Sequence, residues 1–461
     1  MPHVDTAAIV LAAGEGTRFR SDLAKVLHRA AGRSLLRHVL EALRPLGLGQ
    51  VIVVVGHQRD EVRAEAESAG IQGLTTAVQA DQRGTGHAVQ QAVPALADGI
   101  EHVLVVPGDT PLITADALGR LVDAVGDGSP AAMLTAEFDD PNGYGRVLRR
   151  ADGSVDRVVE ERDATRLERA VHEINAGMYV VRRDLLAAAL ERLDDDNAQG
   201  ELYLTDMVGF LTAEGHRITA VVAAEDEVAG VNDRRQLAAA GAVLRDRHLD
   251  HLMLEVGVSV VDPASTHVDV DVEVGRDSVL LPGTILEDGT RVGERAVVGP
   301  HSHLTRCEVG EGATVHSTRA VQAVVGAGAT VGPFAHLREG TRLGTATKAG
   351  AFVETKNATV GEGSKLPHLA YVGDAEVGSG VNVSCGVVTV NYDGRTKHRT
   401  VVEDDAFVGC DTMLVAPVRI GAGAYTAAGS TITEDVPPGA LAIARCRQEN
   451  KEGWVARRFP D

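Results

Sequence analysis

The sequence predicts an α/β domain on a mostly parallel sheet, a helical linker, and a parallel β-helix of six-residue repeats. Three observations predict it. Short apolar runs alternate with helix-patterned segments in the first half, and aliphatic residues recur at every sixth position in the second. The chain also holds 51 Gly against 7 Phe, 6 Tyr and 1 Trp, which suits small aliphatic side chains packed between tight turns. At about 150 residues per domain, the length of 461 residues allows two to four domains.

In the first half, Ala7 to Leu11, Val51 to Val55, Val103 to Val106 and Met178 to Val181 read as buried strands. Ser34 to Leu43, Thr85 to Ala97 and Thr114 to Val125 read as helices with apolar residues at three-and-four spacing. Strand and helix in that alternation imply a mostly parallel sheet covered on both faces, with ligands at the carboxyl ends of its strands. From Asn232 to Leu254 the pattern is helical and charged, with Leu237, Ala240, Val243 and Leu244 on one face. The expected division is residues 1–234, a linker helix 235–255, and residues 256–461.

Beyond residue 256 the period is six. Val274, Leu280, Leu286, Val292, Val298 and Leu304 form one set; Val309, Val315 and Val321 a second; Val325, Val331, Leu337 and Leu343 a third; Val408, Leu414, Ile420, Thr426 and Ile432 a fourth. Gly follows many of them, as at Gly275, Gly293, Gly310, Gly326 and Gly421. Neither a helix nor an ordinary strand has this period, whereas a hexapeptide β-helix does, with one inward aliphatic per short strand and Gly permitting the corners. The hexads lapse between Lys348 and Asp404, where Asn391 to Arg399 reads as a loop off the coil.

The net charge is −20, from 45 Lys plus Arg against 65 Asp plus Glu, which argues against nucleic acid or an anionic membrane as partner. No apolar run reaches the roughly 18–20 residues of a membrane span, and no signal peptide is expected. Cys307, Cys385, Cys410 and Cys446 have no Cys-x-x-Cys spacing. That fits reduced thiols in a cytoplasm rather than a disulfide frame or a zinc site.

Leu11-Ala12-Ala13-Gly14-Glu15-Gly16-Thr17-Arg18 follows the first strand, and Lys25 stands seven residues on. Gly14 and Gly16 let backbone N–H groups turn toward an anion, and Arg18 can fork onto phosphate oxygens. This loop with Lys25 resembles the signature of sugar-1-phosphate nucleotidyltransferases. Over essentially the whole length, to Lys451-Glu452-Gly453-Trp454, the chain resembles the bifunctional N-acetylglucosamine-1-phosphate uridyltransferase/glucosamine-1-phosphate N-acetyltransferase family. The resemblance implies a Rossmann-like nucleotidyltransferase domain followed by a left-handed parallel β-helix.

By this resemblance, Leu11, Ala12, Ala13, Gly14 and Lys25 hold the UTP phosphates, and Gln79, Gly84 and Thr85 read the uracil. Gly145, Glu160 and Asn175 bind sugar and ribose. Asp109 and Asn232 are the ligands of Mg²⁺, which accepts one carboxylate and one amide oxygen and takes further ligands from phosphates and water. Taken alone, Asp109 reads as a turn residue ahead of Pro111, and Asn232 as a helix N-cap. In the implied reaction the sugar phosphate attacks the α-phosphorus of UTP and displaces pyrophosphate. Lys25, Arg18 and backbone N–H groups offset the repulsion between the two anions. Ala24 stands where the family has Pro, which is expected to loosen the loop, and Glu15 is expected to point outward.

In the second half the resemblance gives Arg338 and Lys356 to the phosphate of glucosamine-1-phosphate, and Tyr371, Asn382 and Lys397 to the rest of the sugar. His368 is the general base that takes the proton of the attacking amine. Cys385, Asn391, Tyr392, Cys410, Ala428 and Arg445 belong to the acetyl-CoA region, with acetyl-CoA as co-substrate. Cys385, Cys410, His336 and Ala351 depart from the family's residues. Trimer-forming coils of this kind imply a homotrimer with acetyl sites shared between neighbouring chains. The alternatives are a sugar-1-phosphate nucleotidyltransferase whose coil is purely structural, and a non-catalytic scaffold of the same architecture.

Overall fold

A computed structural model describes residues 2–126 and 128–460; residues 1 and 461, which bound the expected domains, lie outside the described set. The chain forms two compact units, Met1–Leu244 and Arg245–Asp461. The division falls within the helix Arg234–His251.

Besides the short antiparallel pair Arg29–Ala30 and Arg33–Ser34, the strands of the first unit are β1 (Thr6–Ala12), β2 (Gln50–Val55), β3 (Leu74–Val78), β4 (His102–Pro107), β5 (Ala131–Glu137), β6 (Arg146–Arg149), β7 (Val155–Val159), β8 (Glu173–Arg182) and β9 (Ile218–Val222). They form one sheet in the order β9-β5-β8-β4-β1-β2-β3, with the β6–β7 hairpin attached through β8. β1 is parallel to both β2 and β4, and β8 runs antiparallel between β4 and β5. Both faces are covered, so the central strands β1, β2 and β4 are buried almost throughout instead of alternating. Ala8 and Val10 of β1 pack on one side with Leu36, Leu40 and Leu118. Ile9 packs on the other with Val89, Leu186 and Met207.

The helices include α1 (Leu35–Leu43), α2 (Arg59–Ser68), α3 (Thr85–Ala92) and α4 (Ala115–Asp123). Ser34 caps α1 by accepting the Arg37 N–H at 3.0 Å, and Thr114 caps α4 by accepting that of Ala117 at 3.1 Å. The helix expected to run from Thr85 to Ala97 stops at Ala92 and continues as a 3₁₀ turn over Val93–Ala95. Pro94 is the reason, because its ring clashes with the preceding turn and it has no N–H to donate.

The second unit is a left-handed parallel β-helix whose short strands stack into an 11-stranded sheet and a curled 17-stranded sheet. The predicted inward aliphatics from Val274 to Ile432 form one continuous core, with Leu280, Leu286, Val298 and Val315 fully buried. Val321 is the exception. Leu304 pairs with Ala320 and Thr305 with Val321, so Ala320 points inward and Val321 lies on the flank. The repeat shortens one strand earlier than six-step counting allows.

The expected lapse from Lys348 to Asp404 is also corrected. The coil continues through it on Ala349, Thr355, Val360, Leu366, Val372, Val377, Val383 and Thr389, all buried. Ala and Thr in inward positions hid the period. Only the Asn391–Arg399 loop leaves the coil. Glycine does permit corners, with left-handed backbone at Gly283, Gly299, Gly312 and Gly332, but left-handed backbone falls also on Asp277, Arg295, Phe334 and Phe352. Some of the Gly that follow inward aliphatics serve close stacking instead: a Cβ on Gly310 would lie 2.5 Å from the Ala327 N of the next turn.

Among the described residues, no helix is long and apolar enough to cross a membrane.

Candidate functional sites

A cavity of about 540 Å³ opens at the carboxyl ends of β1 and β4. Its wall takes Leu11 from the end of β1, Ala13 and Gly14 from the turn after it, Gln79 and Gly84 from the turn into α3, Thr85 from the first position of α3, and Asp109 from the turn after β4. Arg18, Lys25, Glu160, Asn175 and Asn232 complete it. Among the expected nucleotide-site residues, Ala12 is buried beneath the wall. Gly145 sits behind it, its carbonyl accepting the Asn175 N–H at 2.8 Å. Glu15, expected to point outward, is exposed but borders the cavity.

Lys25 is the electrostatic centre. Its ammonium is ion-paired with the Asp109 carboxylate and donates to the Asn232 Oδ1 at 2.8 Å. Two oxygen ligands from segments far apart in the chain therefore already converge on one cation. Gly16 explains how the loop reaches it. Its φ is 66°, and a Cβ there would stand 2.5 Å from the Lys25 Cβ, so only glycine allows this approach. Gly14, by contrast, has open space where a Cβ would be.

The loop before Lys25 is tied, not loosened. Ala24 has φ −54° and ψ 138°, angles a proline also takes, yet its N–H donates to the Gln58 Oε1 at 2.6 Å. The Gln58 amide in turn donates to the Asp22 carbonyl. Proline could not make the first of these bonds. Gln58 itself holds a left-handed φ of 48° just before α2, a conformation that its residue type did not announce.

Deeper in the cavity, the Asn175 Oδ1 accepts the Gly177 N–H at 3.1 Å and the Tyr179 hydroxyl at 2.8 Å. Glu160 accepts the Thr205 hydroxyl at 3.0 Å, and burial pushes its carboxyl above the usual range. Gln79 donates to the Gly84 carbonyl and faces the His87 Nδ1, each at 3.1 Å. Gln82, Tyr179, Glu201 and Thr205 also line the cavity and were missed. Nothing in their spacing marked them, since the fold brings them in from three separate segments.

Most of the expected residues of the second unit lie along its surface. Arg338 and Lys356 are neighbours on successive turns, because His336 pairs with Glu354 and Leu337 with Thr355. Glu354 pairs in turn with Tyr371. Arg338 donates to the Glu354 carboxylate at 2.9 Å. His368 is exposed at the end of its strand, aligned with Ala351 on the turn before it, and Tyr371 begins the next strand. Asn382 donates to the Ser384 hydroxyl at 3.0 Å. Arg445 lies beside Gly429, next to Ala428.

Asn391 is buried, and its amide donates to Asp374 at 2.6 Å; Asn357 donates to the other oxygen of the same carboxylate at 2.7 Å. Asp374 was missed by sequence reasoning because the stacking of turns, not sequence spacing, places it beside Asn391. The loop carrying Tyr392 and Lys397 is braced from within. Asp393 accepts the N–H groups of Arg395 and Thr396 at 2.8 and 2.7 Å and faces the His398 Nε2 at 2.7 Å. The Thr396 N–H and the His398 ring hold its carboxyl well below the usual range.

Residues 8–208 match the family model of the MobA-like NTP transferase domain. The whole chain is 52% identical to the bifunctional protein GlmU of Streptomyces avermitilis, over 98% of this chain and 95% of that one. It is 50% identical to that of Mycolicibacterium gilvum, over 99% and 93%. With GlmU of Caldanaerobacter subterraneus the figures are 48% identity over 99% and 98%. The chain belongs to the bifunctional GlmU family. As a GlmU protein it is an enzyme with two activities, uridylyl transfer and acetyl transfer, of a family that acts on nucleotide and sugar-phosphate substrates and generally uses a divalent metal.

Proposed function

We propose that the unit ending near residue 234 transfers uridylyl from UTP to N-acetylglucosamine-1-phosphate, and that the unit from residue 256 makes that acceptor from glucosamine-1-phosphate and acetyl-CoA. The observation that carries the first assignment is the convergence of Asp109 and Asn232 on a single cation, the Lys25 ammonium, at the mouth of the cavity. A carboxylate and an amide oxygen are hard donors of the kind Mg²⁺ takes, and their grip on an ammonium supports reading the spot as a cation site. Asp109 and Asn232 would hold Mg²⁺, which supplies charge neutralisation for the phosphates.

The chain's own groups then do the following. Backbone N–H groups of the Leu11–Gly14 turn meet the triphosphate. Lys25, released from its two oxygen partners, and Arg18 offset the charge that builds as the sugar phosphate attacks the α-phosphorus in line and pyrophosphate departs. Gln79, Gly84 and Thr85 face the base. Glu160, Asn175 and Gly145 form the interlocked floor under the sugars. No side-chain base is needed, because the attacking phosphate is already ionised.

In the coil, Arg338 and Lys356 take the phosphate of glucosamine-1-phosphate, with Tyr371, Asn382 and Lys397 around the sugar. His368 removes a proton as the amine attacks the thioester carbonyl. An imidazole is a side chain able to accept a proton in such a step, and His368 is exposed to incoming substrate. Cys385, Asn391, Tyr392, Cys410, Ala428 and Arg445 form the acetyl-CoA wall. A wall this open needs a second surface, which a neighbouring chain of a homotrimer supplies. The reduced thiols and these substrates fit a cytoplasmic enzyme.

The test is pyrophosphate release from UTP and N-acetylglucosamine-1-phosphate. A chelator is expected to abolish it and added Mg²⁺ to restore it. Lys25→Ala should lower kcat/KM by about 10²–10³-fold while leaving coenzyme A release untouched. Metal-independent turnover, or equal loss of both activities in Lys25→Ala, would refute the assignment.

A further inference from the structure

Cys385 and Cys410 are distant in sequence but adjacent in the fold. Lys365 pairs in parallel register with Asn382, Asn382 and Val383 with Phe407 and Val408, and these with Tyr425 and Thr426. Carried along the strands, this register places His368, Cys385, Cys410 and Ala428 at one equivalent position of successive turns. The corner that follows repeats with them: Leu369, Gly386, Asp411 and Gly429 all have left-handed φ. Asp411 and Gly429 donate their N–H groups to the carbonyls of Cys385 and Cys410, both at 2.8 Å.

Equivalent residues on neighbouring parallel rungs lie about 4.8 Å apart with side chains pointing the same way. Disulfides bridge Cα separations of about 4.4–6.8 Å, which includes the rung spacing, and Cβ separations of about 3.5–4.5 Å, so the two parallel side chains must close by a few tenths of an ångström to bond. Neither thiol is buried; Cys385 is half-buried and Cys410 exposed. The other two cysteines differ. Cys307 is buried in the core, where burial pushes its thiol up. Cys446 is exposed but lies beyond the last strand, Leu441–Ala442.

We propose that Cys385 and Cys410 form a dithiol modification site, in the turns directly following His368, that reacts with low-molecular-weight disulfides. One cysteine, as thiolate, attacks a sulfur of the disulfide R–S–S–R and releases one R–SH. The other attacks the resulting mixed disulfide and releases the second R–SH, leaving a Cys385–Cys410 bond. The two cysteine protons end on the two departing thiols, and the two electrons lost by the cysteines reduce R–S–S–R. The effect on catalysis rests on the reading of this column as the acetyl-CoA wall. The bridge ties two rungs together beside the catalytic imidazole and replaces two thiols with a rigid ridge where the thioester would lie.

The experiment uses the full chain in a Cys446→Ser background, incubated with oxidised glutathione and freed of excess reagent. The expected result is a species lighter by two hydrogens, with a peptide joining residues 385 and 410. Coenzyme A release should fall by about 10²-fold, as for a small displacement of reacting groups, with pyrophosphate release unchanged and full recovery on reduction. Cys385→Ser and Cys410→Ser should each stop at a single glutathione adduct with no bridged peptide, and the double variant should be insensitive to the reagent relative to its own untreated rate. Oxidation that yields only glutathione adducts, or a bridge that leaves acetyl transfer intact, would overturn the proposal. Failure of the underlying reading looks different: the reduced, untreated chain would release no coenzyme A, while the bridged peptide would still report on the pair.

Discussion

In the α/β unit, the polar groups of the site come from many chain segments into one cavity and already hold one another there. In the coil they are spread along the outer face of stacked rungs, and His368, Tyr392 and Cys410 stand in solvent. The same kinds of residues are thus organised by two different physical devices. An open sheet gathers loops at the carboxyl ends of its strands, so a pocket forms within one chain. A β-helix instead copies one position from turn to turn, giving columns and a wall without a lid. The first site lies within one chain; the second, as proposed, is completed by another.

Glycine separates the two devices most strongly. Gly310→Ala puts a Cβ 2.5 Å from the backbone N of Ala327, and should destabilise the chain by about 1–3 kcal/mol as overpacking does, seen as a lower midpoint in thermal unfolding. Gly14→Ala meets nothing within 4 Å and should leave the unfolding midpoint within error. Equal shifts would mean that the stacking argument is wrong.

Asp374 tests whether the coil's site depends on partners above and below each rung. Asp374→Ala leaves the buried Asn391 amide without its acceptor, and about 1–3 kcal/mol of lost satisfaction follows. The expected readout is a raised KM for acetyl-CoA with little change in pyrophosphate release; an unchanged KM would remove Asp374 from any positioning role. The smallest effect is expected at Ala24→Pro, whose angles suit proline but whose N–H is spent on Gln58. Uridylyl transfer should change by only a few-fold, since about 0.5–1.5 kcal/mol of hydrogen bonding is exchanged for a stiffer loop. A tenfold gain would show that the Gln58 tie is idle.

Much of the fold was legible because both halves repeat. The buried runs at Ala7, Val51 and Val103 and the sixfold aliphatics are direct imprints of sheet and coil packing. The errors fell where a local feature overrode the period: Pro94 shortened α3, Ala320 rather than Val321 took the inward place, and Ala349 and Thr355 hid coils behind small residues. The expected site residues were identified by motif, not by geometry. Gln58, Asp374 and Thr205 escaped because their roles depend on contacts made across 34, 17 and 45 sequence positions respectively, distances at which spacing along the chain carries no signal.

The central claim is that two chemistries reside in two separate units. The most direct test is coenzyme A release from acetyl-CoA and glucosamine-1-phosphate with UTP omitted, comparing the unaltered chain with His368→Ala. Release that falls by about 10²–10⁴-fold, as loss of a general base predicts, with pyrophosphate release from UTP and N-acetylglucosamine-1-phosphate preserved, is the predicted result. Release that survives His368→Ala, or that is absent from the unaltered chain, would contradict it.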